Sequence, residues 1–139
     1  MAHFSKIQVI FTAVLFSINF IQCTKHQPCD GRQSEDVYQT GERYCLGEHE
    51  YIVIDSIADS RCPTDIDCIW EGKTDLYIYL FAHNTLHDAV LSVPNSGESA
   101  TIQDIFGYDF SVDSITPYPV GTELIPQNAY KIYMKIKER

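Results

Sequence analysis

The residues of this chain best suited to chemistry crowd into one stretch. Asp59 to Gly72 reads D-S-R-C-P-T-D-I-D-C-I-W-E-G and holds Cys62, Cys68, the single tryptophan Trp70 and a run of carboxylates. Two cysteines this close can share a metal ion or close a disulfide. The Cys62–Cys68 gap is wider than that of a zinc knuckle, and no His-x3-5-His partner is well placed. His83 and His87 have the ligand spacing of a helix, but they flank a predicted turn between strands. Asp65, Asp67 and Glu71 form a small acidic cluster without the glycine and distal glutamate of a calcium loop. The hydrolase patterns G-x-S-x-G, H-E-x-x-H and S-x-x-K are absent, as is a C-x-x-C redox pair. No catalytic residue, metal ligand or cofactor is therefore assigned, and the chain is read as a non-enzyme.

A disulfide-closed turn between two core strands accounts for the same residues. On the loop-entropy estimate, a ring as small as Cys62–Cys68 is worth ~2.4 kcal/mol. Pro63 fixes a φ angle directly after Cys62 and favours a turn there. Trp70 stands two residues after Cys68, so on a strand both point to one face. Burial of Trp70 against the bond is the expectation. Gly72 suits a bulge or a positive φ before the next strand. Arg61 has Asp59, Asp65 and Asp67 within reach for a salt link that fixes the loop.

The elements around this turn read as strands. Glu50 to Ala58 precedes it, with apolar residues on both faces, as in a strand near the centre of a packed sheet. Asp75 to Phe81 follows it, with Leu76, Ile78 and Leu80 alternating against Tyr77, Tyr79 and Phe81. These aromatics either form a binding face or lie buried as the second face of a sheet, and burial is the expectation. Ala82 to Thr85 reads as a turn, His87 to Val93 as a strand, and Pro94 to Gly97 as a loop. Thr101 to Gly107 fits a short strand or a helical turn. Tyr108 to Ile115 alternates until Ile115 falls out of phase, which points to a bulge or a twist. Gln127 to Lys137 is the last strand, apolar at Tyr130, Ile132, Met134 and Ile136, with Lys131, Lys135 and Lys137 on a solvent-facing or edge side. The fold class is all-β, a small antiparallel β-sandwich or barrel.

The N-terminal region is organised differently. Residues 1–22 carry Lys6 and then an uncharged apolar run, Ile7 to Ile21, of signal-peptide length and short of a membrane span. They are read as an export signal. Cys23 follows at the position of a lipid-modified cysteine, although Phe20-Ile21-Gln22 departs from the usual lipoprotein site. Residues 23–47 read as a tether and 48–139 as the β-domain. With Cys23 lipidated, Cys29, Cys45, Cys62 and Cys68 remain. Four cysteines allow three pairings, and proximity favours Cys62–Cys68 with Cys29–Cys45. Export favours oxidised thiols. Nineteen acidic residues against ten basic ones give a net charge of −9, which repels phosphate backbones and excludes nucleic acid as a partner.

The motif resembles that of a family of small, mostly uncharacterised bacterial exported proteins and lipoproteins. Their shared pattern is D-S-R-C-P, a short gap, then C-x-W-x-G. Asp59, Ser60, Arg61, Cys62, Pro63, Cys68, Trp70 and Gly72 match it, and Ile115-Thr116-Pro117-Tyr118-Pro119 is similar to that family's P-x-P strand ending. The resemblance spans roughly residues 50 to 137. It implies a β-rich domain in the cell envelope and carries no activity. The expected function is that of an envelope protein, membrane-anchored through Cys23 or else periplasmic or secreted. Its β-domain binds a protein or glycan. The alternative is an exported protease inhibitor presenting the Asp59–Gly72 loop.

Overall fold

The computed structural model describes residues 29, 31–33, 36–95 and 99–139, and the side chains of all of these except 32, 33, 102 and 103. The apolar N-terminal run and Cys23 lie outside the described residues. The described residues form nine strands: β1 (Arg32–Gln33), β2 (Val37–Tyr38), β3 (Arg43–Cys45), β4 (Tyr51–Asp59), β5 (Lys73–Ala82), β6 (Thr85–Pro94), β7 (Ala100–Ile105), β8 (Tyr108–Thr116) and β9 (Lys131–Glu138). A five-stranded sheet in the order β1-β3-β4-β5-β6 packs against a four-stranded sheet in the order β2-β9-β8-β7. Strand pairing is antiparallel throughout except between β1 and β3. The fold is an all-β sandwich.

The period-two pattern builds the core. Leu76, Ile78 and Leu80 of β5 point inward against Phe110 and Val112 of β8 and Ile132 and Met134 of β9, all buried. Two bulges keep longer strands in phase with this core. In β4 the register shifts between Ile54 and Ser56. The extra residue, Asp55, returns Ile57 to the buried side with Ile52 and Ile54. Strict alternation would put Ile57 on the face of Tyr51 and Val53; the bulge is the reason it does not lie there. In β8 the shift lies between Val112 and Ser114, and it accounts for the phase break at Ile115. Thr101 to Gly107 resolves into β7 and a two-residue hairpin turn, in which Phe106 and Gly107 both have positive φ. β9 lies inside its sheet, between β2 and β8, with its lysines on the exposed face.

The tether reading of 23–47 needs correction for its described part. β2 joins β9 in one sheet and β3 joins β4 in the other. Tyr38 and Tyr44 are wholly buried, their rings 4.6 Å apart. The Cys29–Cys45 disulfide closes this region. The β-domain therefore begins well before residue 48. These strands are two or three residues long, too short to show a period, and their neighbours are polar.

Each end of the sandwich carries a polar tie between the sheets. At the end where β4 begins, the Tyr108 hydroxyl and the His83 backbone N–H both donate to Glu50. These bonds, Tyr108's first, hold the Glu50 carboxyl below its ordinary value of 4.5. A depressed carboxylate contributes stability that is complete above its unfolded pKa and is lost as pH falls through its folded one. Glu50→Gln should therefore be less stable than the wild type at pH 7, with the gap closing below pH 4.5. Urea unfolding of both proteins across the acid range measures this; a gap that persists unchanged at low pH overturns it.

Candidate functional site

The opposite end of the sandwich holds the Asp59–Gly72 stretch, and its base is a hub around Arg61. Arg61 and Asp59 side chains are 7% and 6% exposed. The guanidinium donates to both Asp59 oxygens, at 2.9 and 2.6 Å, to the Ile115 carbonyl at 2.7 Å and to the Pro117 carbonyl at 3.0 Å. It also lies over the Tyr118 ring, 4.7 Å from the centroid. Of the three carboxylates within reach in sequence, Asp59 is the partner. Asp59 further accepts the Tyr130 hydroxyl at 3.2 Å. Burial, and then the nearby Asp59 charge, push the Tyr130 phenol up to about 12, so it remains a donor at physiological pH. The two motifs singled out in the sequence thus meet: D-S-R-C-P supplies the cation and its carboxylate, and I-T-P-Y-P supplies two carbonyls and a ring.

Above the hub the chain is fixed on every side. The β4–β5 ladder continues past the strand ends, with Ser60 N–H donating to Lys73 O at 2.9 Å and Cys62 N–H to Glu71 O at 3.3 Å. The Cys62–Cys68 disulfide closes the loop, as expected. Ile66 N–H donates to Pro63 O at 3.3 Å, forming the turn that Pro63 sets up. One flank is tied to the segment after β8 by Thr64 N–H to Pro119 O at 3.1 Å and Gly121 N–H to Asp65 at 2.6 Å. On the other flank, Asn95 donates to Glu71 O at 3.2 Å and to the Tyr118 hydroxyl at 2.7 Å. Gly72 has φ +77°, and a Cβ there would lie 2.0 Å from the Ser60 carbonyl oxygen. Only glycine permits that crossing.

Trp70 is where the sequence reading fails. It is 61% exposed, and Ile69 beside it is 98% exposed. The inference of burial assumed strand alternation from Cys68 to Trp70, but the chain bends at Ile69 and Trp70, and β5 starts only at Lys73. The motif tryptophan is thus displayed on the loop's returning arm, just outside the disulfide ring, and does not seal the core. Ile66 on the same loop, and Val120 and Leu124 on the segment bonded to it, are exposed too. A cleft of about 300 Å³ opens beside the hub between Arg61, Thr74, Val93, Asn95, Ile115 and Tyr118. Arg61 already uses four donor bonds here, so the cleft offers a satisfied guanidinium and apolar walls.

A second correction concerns Tyr77 and Tyr79. Both are 42% exposed on the outward face of β5, while Phe81 is half-buried against the Tyr51 ring at 5.3 Å. Alternation placed the three on one face; it carried no information about whether a layer covers that face. Among the described residues, no group of three histidine, cysteine, aspartate or glutamate side chains could hold a metal ion. His83 sits in the β5–β6 turn with φ +51°, and His87 stacks on Phe106 at 3.9 Å.

The sequence reading missed Gln127. Its side-chain oxygen accepts from Ile57 N–H at 2.8 Å and its nitrogen donates to Ile57 O at 2.9 Å. One amide thereby takes the place of a neighbouring strand beside β4. Comparison with protein-family models, with curated proteins and with solved structures returned no match to this chain.

Proposed function

We propose that the protein is a non-enzymatic binding protein of the cell envelope, whose disulfide-stapled β-domain presents the Ile66, Ile69 and Trp70 loop to another protein. The observation that carries this is the exposure of Ile69 and Trp70 on a loop that is otherwise immobilised. Apolar side chains left in water do nothing for folding, and fixed ones are already arranged for binding. Tryptophan is among the commonest dominant residues of protein interfaces. The two disulfides belong to an oxidising environment. That environment, the apolar N-terminal run and the resemblance of the motif to exported bacterial proteins support an envelope location. Attachment through a lipid on Cys23 completes this reading, and Cys23→Ser should then move the protein from the membrane to the soluble fraction. A protein that stays with the membrane after this change argues against the anchor.

The test of the loop is capture from envelope extracts with the oxidised protein, wild type against Trp70→Ala. The wild type should retain a partner that the variant loses, while stability changes by no more than about 0.5 kcal/mol, as for an ordinary surface position. Capture that survives Trp70→Ala overturns the proposal. A stability loss of about 3–5 kcal/mol returns Trp70 to the core. Protease inhibition is the narrower alternative on the same loop, favoured by the full exposure of Ile69 next to Cys68. It predicts that the captured partner is a protease and that its activity falls when the oxidised protein is added.

A further inference from the structure

The outer edge of the five-stranded sheet is open to one more strand. β6 pairs with β5 from Thr85 to Pro94 without a bulge, and among the described residues no strand pairs with its other side. An edge strand turns half of its peptide N–H and C=O groups away from the sheet, where they template another chain. Lysines, internal prolines and bulges usually blunt such edges. β6 has no lysine, and its proline is the last residue. The edge strand on the same side of the other sheet, β7, is shorter and has a register break between Ile102 and Ile105. β1, at the far edge, has two residues.

The side chains next to this edge specify what fits there. On the outward face Asp88 stands opposite Tyr79, and Val90 opposite Tyr77. Together with Asp55 at the β4 bulge they line a depression of about 150 Å³. Among the described residues the Asp88 carboxylate has no hydrogen-bond or ion-pair partner, and the Asp55 carboxylate accepts only the Ser56 hydroxyl at 3.2 Å. A cationic side chain on an added strand would meet Asp88 directly across and the tyrosine rings beyond it. A second copy of β6 would instead bring another Asp88 and another net charge of −9, which opposes self-pairing.

We propose that β6 accepts an extended, basic segment of a partner protein as an added strand. Backbone bonds to β6 supply the affinity, and an arginine or lysine set over Asp88 and Tyr79 supplies the choice of sequence. Asp88 lies toward the opposite end of the strand from the Trp70 loop, so this surface does not depend on that loop.

The probe is a fluorescein-labelled, end-blocked peptide of about eight alternating valines and arginines, the length of an ordinary strand. Its binding to the oxidised full-length protein is followed by fluorescence polarisation at physiological salt. Saturable binding is expected, weakened about ten-fold or more by Asp88→Lys, because like charges across an interface repel strongly. Tyr79→Ala should weaken it too, and Trp70→Ala should leave it unchanged. The same peptide N-methylated at every peptide nitrogen keeps its charge but has no N–H left to offer a sheet from either edge, and it should not bind. Equal binding of the N-methylated peptide means charge attraction alone and overturns the proposal, as does equal binding of a valine–glutamate peptide. Loss of binding in Trp70→Ala places the peptide on the loop and overturns it too. So does sedimentation of the peptide-free protein as a dimer that the peptide dissociates, since β6 would then be occupied by a second copy.

Discussion

Arg61→Ala should lower the free energy of unfolding by about 3–5 kcal/mol, the usual cost of breaking a buried ion pair from one side. The substitution leaves the Asp59 carboxylate buried without its cation and takes the donor from the Ile115 and Pro117 carbonyls. Those two carbonyls lie on the other sheet's side of the sandwich, so the loss also loosens the tie between the two sheets at this end. Arg61→Lys should recover little of it. A lysine keeps the charge but not the planar fork that serves two carboxylate oxygens and two carbonyls together. The double variant Asp59→Leu/Arg61→Met removes both charges, and it should be more stable than Arg61→Ala. Urea unfolding of the four proteins decides the matter. A loss below about 1 kcal/mol for Arg61→Ala would make the pair no better than a surface salt bridge.

Gly72→Ala is the second large effect. The added methyl would meet the Ser60 carbonyl oxygen at 2.0 Å and Arg61 Cα at 2.8 Å, both backbone atoms that cannot turn aside, at a φ of +77°. Strain and overpacking together should remove about 3 kcal/mol or more. Gly41 provides an internal control. It has the same φ of +77°, and a methyl added there would have nothing within 4 Å. Gly41→Ala should therefore show the backbone strain alone, about 1 kcal/mol. The difference between the two substitutions, read by urea unfolding, measures the close approach of the loop's two arms. Equal losses would mean that the arms separate freely, and that the loop tip is not held as rigidly as its hydrogen bonds imply.

Much of this architecture could be read from residue order. Alternation in β5 and β9 identified the inward faces, and the phase break at Ile115 located a bulge. The proximity of the cysteines selected both disulfides, and Gly72 marked a positive φ. The errors share a cause: alternation assigns residues to faces without saying what covers a face or where a strand stops. Tyr77 and Tyr79 were placed on the correct side of β5, but among the described residues no layer lies over them. Trp70 was treated as part of a strand that begins only at Lys73. β2 and β3 are too short for a period, and only the burial of Tyr38 and Tyr44 shows that they belong to the core. Gln127 gives no signal at all, because a side chain standing in for a strand looks like any polar residue at the start of a short 3-10 turn. Arg61 was recognised as a fixing residue. That it reaches the I-T-P-Y-P stretch is a long-range contact that neither motif contains alone.

The Cys29–Cys45 bond has a mechanical consequence. It joins the start of the described chain to β3, and the residues it encloses include β1 and β2. A pull applied upstream of Cys29 passes through the sulfur atoms into Cys45, the last residue of β3, and on toward β4, bypassing residues 30–44. β2, which closes the four-stranded sheet against β9, therefore bears none of the load. Peeling the protein from its N-terminal side would have to begin by shearing β3 from β4, and reduction of this one bond would reroute the force through the two shortest strands of the sandwich.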